Sequence, residues 1–131
     1  MCYSRALSTF FLSDDDGRTW RESCEMVTLS GIASPIGLQE PGVVELKNGI
    51  LQSWARTDLG RQYQFSSRDG GDTWSPAVPS RFWSPISPLS VKRLPDGRLF
   101  AVWNPVPQYE TRAETGNGGR TPLVYALSAD E

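Results

Sequence analysis

Any chemistry in this chain falls to carboxylates, arginines and tyrosines, because its 131 residues contain no histidine. That absence removes Ser-His-Asp and Cys-His nucleophilic catalysis and the commonest metal ligand together. Three residues stand out by type and position: Glu40, Arg56 and Arg120. A planar guanidinium fork engages a carboxylate bidentately, which a lysine does not. Two arginines and an acid gathered at one place would therefore make an anion site. Taken singly, each has a plainer reading, since an arginine at a strand end is commonly a solvated cation and Glu-Pro ahead of a strand is commonly a loop. The case for them rests on the elements that would bring them to one rim.

Those elements are written in a repeat. Ser13, Asp15, Gly17, Thr19 and Trp20 recur as Ser67, Asp69, Gly71, Thr73 and Trp74, both reading S-x-D-x-G-x-T-W, and the pattern starts again at Ser128-Ala-Asp130. The copies begin 54 and 61 residues apart, a period that signals blades or solenoids. Each copy has the chemistry of a hairpin turn. Ser and Asp oxygens accept from nearby backbone N–H groups, and Gly17 or Gly71 supplies the positive φ of a tight turn. The tryptophan then enters the next strand, where its ring can be buried to pin the turn. A calcium loop built on Asp14, Asp16 and Gly17 would need ligands at Leu12 and Ser23, so that pattern fails at both ends.

A second repeat lies across the first. Glu45 to Leu51 aligns with Arg93 to Leu99, placing Asn48-Gly49 and Asp96-Gly97 between apolar runs, the strongest short-range hairpin signal. With the strands of a blade called A to D, these hairpins join A to B and the octapeptides join C to D. The chain then divides into C and D of one blade at 4–12 and 21–28, within residues 1–30. A full blade follows at 42–46, 50–56, 62–67 and about 74–83, within 40–84. Strands A to C of a third lie at 88–94, 98–104 and 121–128, within 86–131. The expected fold is all-β, about nine antiparallel strands in four-stranded blades, with apolar residues on both faces of strands sandwiched between neighbours. Antiparallel order puts the A–B and C–D turns at one end and the D–A and B–C connections at the other. Glu40, Arg56 and Arg120 all fall at that second end. The B–C loop from Asn104 to Arg120, rich in Pro, Gly and polar residues, reads as an excursion on the same side.

Composition narrows the partners. Thirteen basic and fifteen acidic residues leave a charge of −2 with no basic run, which argues against nucleic acid. No apolar stretch is long enough to suggest a membrane span, and the first residues read as a strand rather than a signal peptide. The compartment stays undetermined. Cys2 and Cys24 are the only cysteines, and the hairpin register sets them too far apart for a disulfide. A propeller needs roughly four to eight blades, so two to three repeats imply either a portion of a larger propeller or assembly with copies through open strand edges.

The octapeptide is the Asp-box of sialidase-like β-propellers, and the chain resembles that family, covering about two and a half blades of a six-bladed propeller. The segment from Glu40 to Arg56 resembles the family's stretch in which a Glu opens an A strand and an Arg ends the B strand after it. Arg120, before Thr-Pro-Leu-Val-Tyr, resembles a later arginine. The resemblance implies that Arg56 and Arg120 are two of three arginines holding the carboxylate of a sialic acid. It also implies that Glu40 is the general base activating a tyrosine nucleophile, an exception to the two-carboxylate glycosidase scheme. A phenol avoids the repulsion a carboxylate would meet at an anomeric carbon that itself bears a carboxylate. The implied activity is exo-hydrolysis of terminal sialic acids, the partner a sialylated glycan or other acidic sugar, with no cofactor and no metal.

The sequence also departs from the family. Nothing in the chain fills the first arginine or the acid/base aspartate, and the nucleophilic tyrosine would follow Arg120 by more residues than remain. Tyr125 alternates with Leu123 and Leu127 as a packing residue and is not assigned that role. Trp83, Trp103 and Tyr109 could stack on a sugar, although core or rim packing is their commoner use. The alternative is a non-catalytic Asp-box propeller that binds carbohydrate or protein.

Overall fold

The computed structural model describes residues 6–105 and 120–131. These residues form three antiparallel sheets and no helix. The first pairs β1 (Phe11–Leu12) with β2 (Arg21–Glu22), extended by a bridge between Ser8 and Val27. In the second, β3 (Gln39–Glu45), β4 (Leu51–Arg56), β5 (Arg61–Ser67) and β6 (Val78–Trp83) lie in chain order. The third has β7 (Ser90–Arg93), β8 (Leu99–Trp103) and β9 (Val124–Ser128), also in chain order.

Among the described residues nine strands form in the expected order, but the first two are far shorter than 4–12 and 21–28: β1 and β2 hold two residues each, with only the Ser8–Val27 bridge beyond them, and residues 4–5 lie outside the described residues. Three other strands start at shifted positions. β6 begins at Val78 rather than near Trp74, because the octapeptide occupies the chain through Trp74 and Pro76 has no N–H to give a ladder. β9 begins at Val124, past Pro122, for the same reason. β3 starts earlier than expected, at Gln39, because a bulge between Gln39 and Gly42 lets the ladder resume with Gln39 opposite Arg56.

The octapeptides make the turns their composition predicts. In the second, the Gly71 amide donates to Ser67 Oγ at 2.9 Å, and the Thr73 amide and hydroxyl donate to the two oxygens of Asp69 at 3.0 and 2.5 Å. The indole of Trp74 donates to the Gly71 carbonyl at 3.0 Å. The first repeats this set: Gly17 to Ser13 at 2.8 Å, Thr19 to Asp15 at 2.8 and 2.7 Å, and Trp20 to Gly17 at 3.0 Å. Those hydrogen bonds hold both aspartates below the usual carboxylate range. For Asp69 the Thr73 hydroxyl is the largest cause, and for Asp15 the Thr19 amide.

The main core lies where the first sheet packs on the second. Trp74, 8% exposed, stacks on Phe10 with ring centroids 4.2 Å apart and meets Phe65 edge-on at 5.5 Å, among Val27, Leu29, Leu38 and Tyr63. Burying one such ring is worth several kcal/mol, about 3–5 when it is cut to alanine. Between the second and third sheets the contact runs through Trp54, Phe82 and Trp103, each neighbouring pair edge-on at 6.1 and 5.1 Å. The outer faces are open. Trp20 is 62% exposed, and Leu123, Tyr125 and Leu127 point outward together. Tyr125 is thus not packed as its alternation suggested: its described neighbour is the ring of Phe100 at 5.7 Å, and no sheet covers that face among the described residues.

Candidate functional site

The hairpin turn at Asn48-Gly49 fixes the register that brings Glu40 to Arg56. Both positive-φ Gly49 and the carbonyl of Leu46, which accepts the Gly49 amide at 2.9 Å, set β3 and β4 so that Val44 faces Gln52 and Gly42 faces Trp54. Carried to the far end, the same ladder leaves Gln39 opposite Arg56, with Glu40 and Pro41 in the bulge. Glu40 takes φ +52°, a left-handed conformation that a side chain rarely adopts and that the following proline further restricts. Strain of this sort persists only where surrounding contacts over-determine it, and such positions cluster at functional sites. Here its effect is to aim the carboxylate back over the sheet end.

Arg56 is the centre of the cluster. Its side chain is 16% exposed, and one terminal nitrogen lies 3.3 Å from a Glu40 carboxylate oxygen. That same nitrogen donates to the side-chain oxygen of Gln39. Its Nε is buried with no acceptor among the described residues. The loop after Arg56 is equally fixed: Thr57 Oγ1 donates to the Arg61 carbonyl at 2.7 Å and accepts from Leu59, while Ser34 donates to the carboxylate of Asp58.

Arg120 sits at the corresponding end of the third sheet. Its guanidinium donates to the Ile86 carbonyl at 2.7 Å, in the connection between β6 and β7. That connection is held by Gln62, fully buried, whose amide donates to Ser84 Oγ and to the Ser87 carbonyl, both at 2.7 Å. Asn104 fixes the backbone around Arg120 by donating to the carbonyls of Arg120 and Pro122 at 2.6 and 3.1 Å. The first strands of the second and third sheets run side by side, since a β-carbon on Gly42 would stand 3.7 Å from the Leu89 carbonyl. Two of the three candidates are therefore joined in one ion pair. The third is anchored on the adjoining connection, at the end of the sheets opposite the octapeptides.

Gln39, Asn104 and Gln62 were not singled out by sequence. Gln39 could have been found from the hairpin register, which puts it across from Arg56. The other two act on backbone carbonyls and leave no pattern. The aromatic candidates have other work. The guanidinium of Arg61 lies over the Trp83 ring at 3.4 Å and covers one of its faces, and Trp103 is edge-on to Phe82. Tyr109, Cys2 and most of the long loop between Asn104 and Arg120 lie outside the described residues. Cys24 is exposed and unpaired by any disulfide, with its sulfur 3.7 Å from Asp72. Among the described residues no group of three or more potential ligands could hold a metal ion.

Antiparallel sheets set side by side, with repeated octapeptide turns at one end, define blades of a sialidase-like β-propeller. Residues 3–131 match the model of the BNR repeat-like domain, and the chain belongs to that family. It is 37% identical over 70 residues to an anhydrosialidase of Macrobdella decora, a stretch covering 53% of this chain and 8% of that protein. Among solved structures, the NanB sialidase of Streptococcus pneumoniae is 25% identical with a TM-score of 0.58, over 76% of this chain and 16% of that one. The intramolecular trans-sialidase of Ruminococcus gnavus is 28% identical with a TM-score of 0.55, over 74% and 20%. The chain therefore spans a minor part of each of these relatives.

Proposed function

We propose that Glu40, Arg56 and Arg120 form part of a sialic acid site, and that the protein to which they belong hydrolyses terminal sialic acids from glycoconjugates with retention of configuration. The observation that carries this reading is the Glu40–Arg56 pair, a half-exposed carboxylate held 3.3 Å from a mostly buried guanidinium at the sheet end away from the octapeptides. Gln39 and Glu40 share one terminal nitrogen of Arg56, so the guanidinium is oriented by its neighbours and a substrate carboxylate need not organise it. Preorganised donors of this kind are what make an anion site effective. Arg120, turned in by Ile86, would supply the second fork. Two solved relatives are described in complex with an ethanesulfonate and with oseltamivir carboxylate, anions of the type that guanidinium groups recognise.

In this reading Arg56 and Arg120 hold the sugar's carboxylate, and Glu40 takes the proton of a tyrosine nucleophile as that oxygen attacks the anomeric carbon. The chain offers no residue for the tyrosine, the acid/base aspartate or the first arginine. We expect the purified 131-residue chain to bind sialic acid weakly and to leave a fluorogenic sialoside uncleaved. Weak binding that disappears in Arg56→Ala supports the site; affinity unchanged by that substitution, or turnover by this chain, overturns the assignment. Binding of carbohydrate without dependence on Arg56 would instead favour an Asp-box propeller acting as a scaffold.

A further inference from the structure

The connections that enter the second and third sheets repeat a corner. Ser34-Pro35-Ile36 leads to β3 and Ser84-Pro85-Ile86 leads to β7, 50 residues apart, both at the end opposite the octapeptides. Each serine is buried. In the first corner main chain closes on the isoleucine carbonyl: the Ala6 amide donates to it at 3.0 Å, and the Leu38 amide returns to the Ala6 carbonyl at 3.0 Å. By the 54-residue spacing of the octapeptides, Gly60 stands in the place of Ala6 and Gln62 in the place of Ser8. The second corner is nevertheless closed differently. There the Ser84 amide donates to the Gly60 carbonyl at 3.1 Å, and among the described residues no main-chain amide takes the Ile86 carbonyl, which accepts Arg120 instead at 2.7 Å.

The exchange turns on one side chain. Ser8 leaves its corner to the main chain, its buried hydroxyl meeting no partner among the described residues. Gln62 reaches across, and its amide nitrogen donates to Ser84 Oγ and to the Ser87 carbonyl at 2.7 Å each, gripping the corner on either side of Ile86. Its oxygen is buried with no partner among the described residues, a cost that an apolar side chain of the same length would not carry. Filling space is therefore not what this glutamine does best. It also lies just past the loop that leaves Arg56. Thr57 Oγ1 donates to the carbonyl of Arg61, the residue before Gln62, and Gly60 of the same loop receives Ser84. One buried amide thus ties the loop behind Arg56 to the carbonyl that aims Arg120.

We propose that Gln62 is a positioning residue for the anion site, a role that rests on the reading of Arg56 and Arg120 as carboxylate ligands. It holds the corner from Ser84 to Ser87 so that the Ile86 carbonyl is left open to Arg120, and so sets the second guanidinium at a fixed separation from the first. Gln62 touches no substrate. It acts through Arg120, leaving Arg56 to Gln39 and Glu40.

The test compares the 131-residue chain with two variants: Gln62→Met, which keeps the length and removes the amide, and Gln62→Asn, which keeps an amide one methylene too short. Either variant suffices if the other fails to fold. Without ligand, arginine side-chain NMR should show the Arg120 guanidinium restrained in the unsubstituted chain and freely rotating in the variants, with Arg56 the same in all. Affinity for sialic acid should fall about tenfold, the effect of losing one charge-assisted hydrogen bond. An unchanged Arg120 signal, unchanged affinity, or equal loosening of Arg56 and Arg120, as general loss of packing would give, overturns the proposal. If the unsubstituted chain binds no sialic acid, the sugar reading fails, and the ligand-free Arg120 signals still decide whether Gln62 positions that guanidinium.

Discussion

Two octapeptide turns with the same five residue types make nearly the same internal hydrogen bonds, yet Trp74 is buried at 8% exposure and Trp20 lies open at 62%. The hydrogen bonds from serine, aspartate and threonine are set within the eight residues, so they appear wherever the sequence does. Burial of the ring is set by the neighbouring sheet. Phe10 of the first sheet lies over Trp74, while among the described residues no aromatic ring packs on Trp20, whose indole donates to the Gly17 carbonyl of its own turn at 3.0 Å. The motif thus encodes the turn, and the neighbouring blade decides whether the turn contributes to the core.

That contrast gives a ranked set of expectations. Trp74→Ala should cost about 3–5 kcal/mol, against less than about 1 for Trp20→Ala; urea unfolding of the two variants in parallel measures the gap, and equal losses would erase the distinction. Next in size is Gly71→Ala. It places alanine at φ +102° with its β-carbon 3.0 Å from Leu12 Cδ2, adding steric repulsion to a left-handed penalty of roughly 1–2 kcal/mol. Gly17→Ala, at φ +82° with 3.4 Å to an exposed and yielding Trp20, should bear the penalty alone.

Acid should act on both turns in the same direction. Asp69 and Asp15 have folded-state pKa values below their unfolded value of about 3.9. Their stabilising contribution is therefore complete above about pH 4 and is lost as pH falls through the folded values. Asp69→Asn should lower the unfolding midpoint at neutral pH and flatten its fall between about pH 4 and 2, with Asp15→Asn doing the same to a lesser degree. The smallest effect belongs to the exposed bridge between the turns, where Arg21 forks onto Asp72. Arg21→Ala should shift stability barely beyond error, and the difference should vanish in high salt.

The regular part of the fold was legible because turn chemistry is local. Asn48-Gly49, Asp96-Gly97 and the octapeptides each force a reversal, and between them the strand order, the two ends and the placement of Glu40 and Arg56 follow from counting. What sequence could not supply depends on contacts across sheets. The outward Leu123, Tyr125 and Leu127 alternate like a packed face because such a face is built for a neighbour, whether or not one is present. The bulge that aims Glu40 was hidden because Glu-Pro-Gly reads as a loop, whereas the ladder in fact crosses it to Gln39.

The most direct test of the proposed division between a chemical end and a structural end is to titrate the chain with sialic acid and follow backbone amide shifts. Perturbations are expected at residues around Gln39–Glu40, Arg56, Ile86 and Arg120, and none at the two octapeptides. Shifts centred on residues 13–20 or 67–74, with the Glu40–Arg56 pair unmoved, would contradict it.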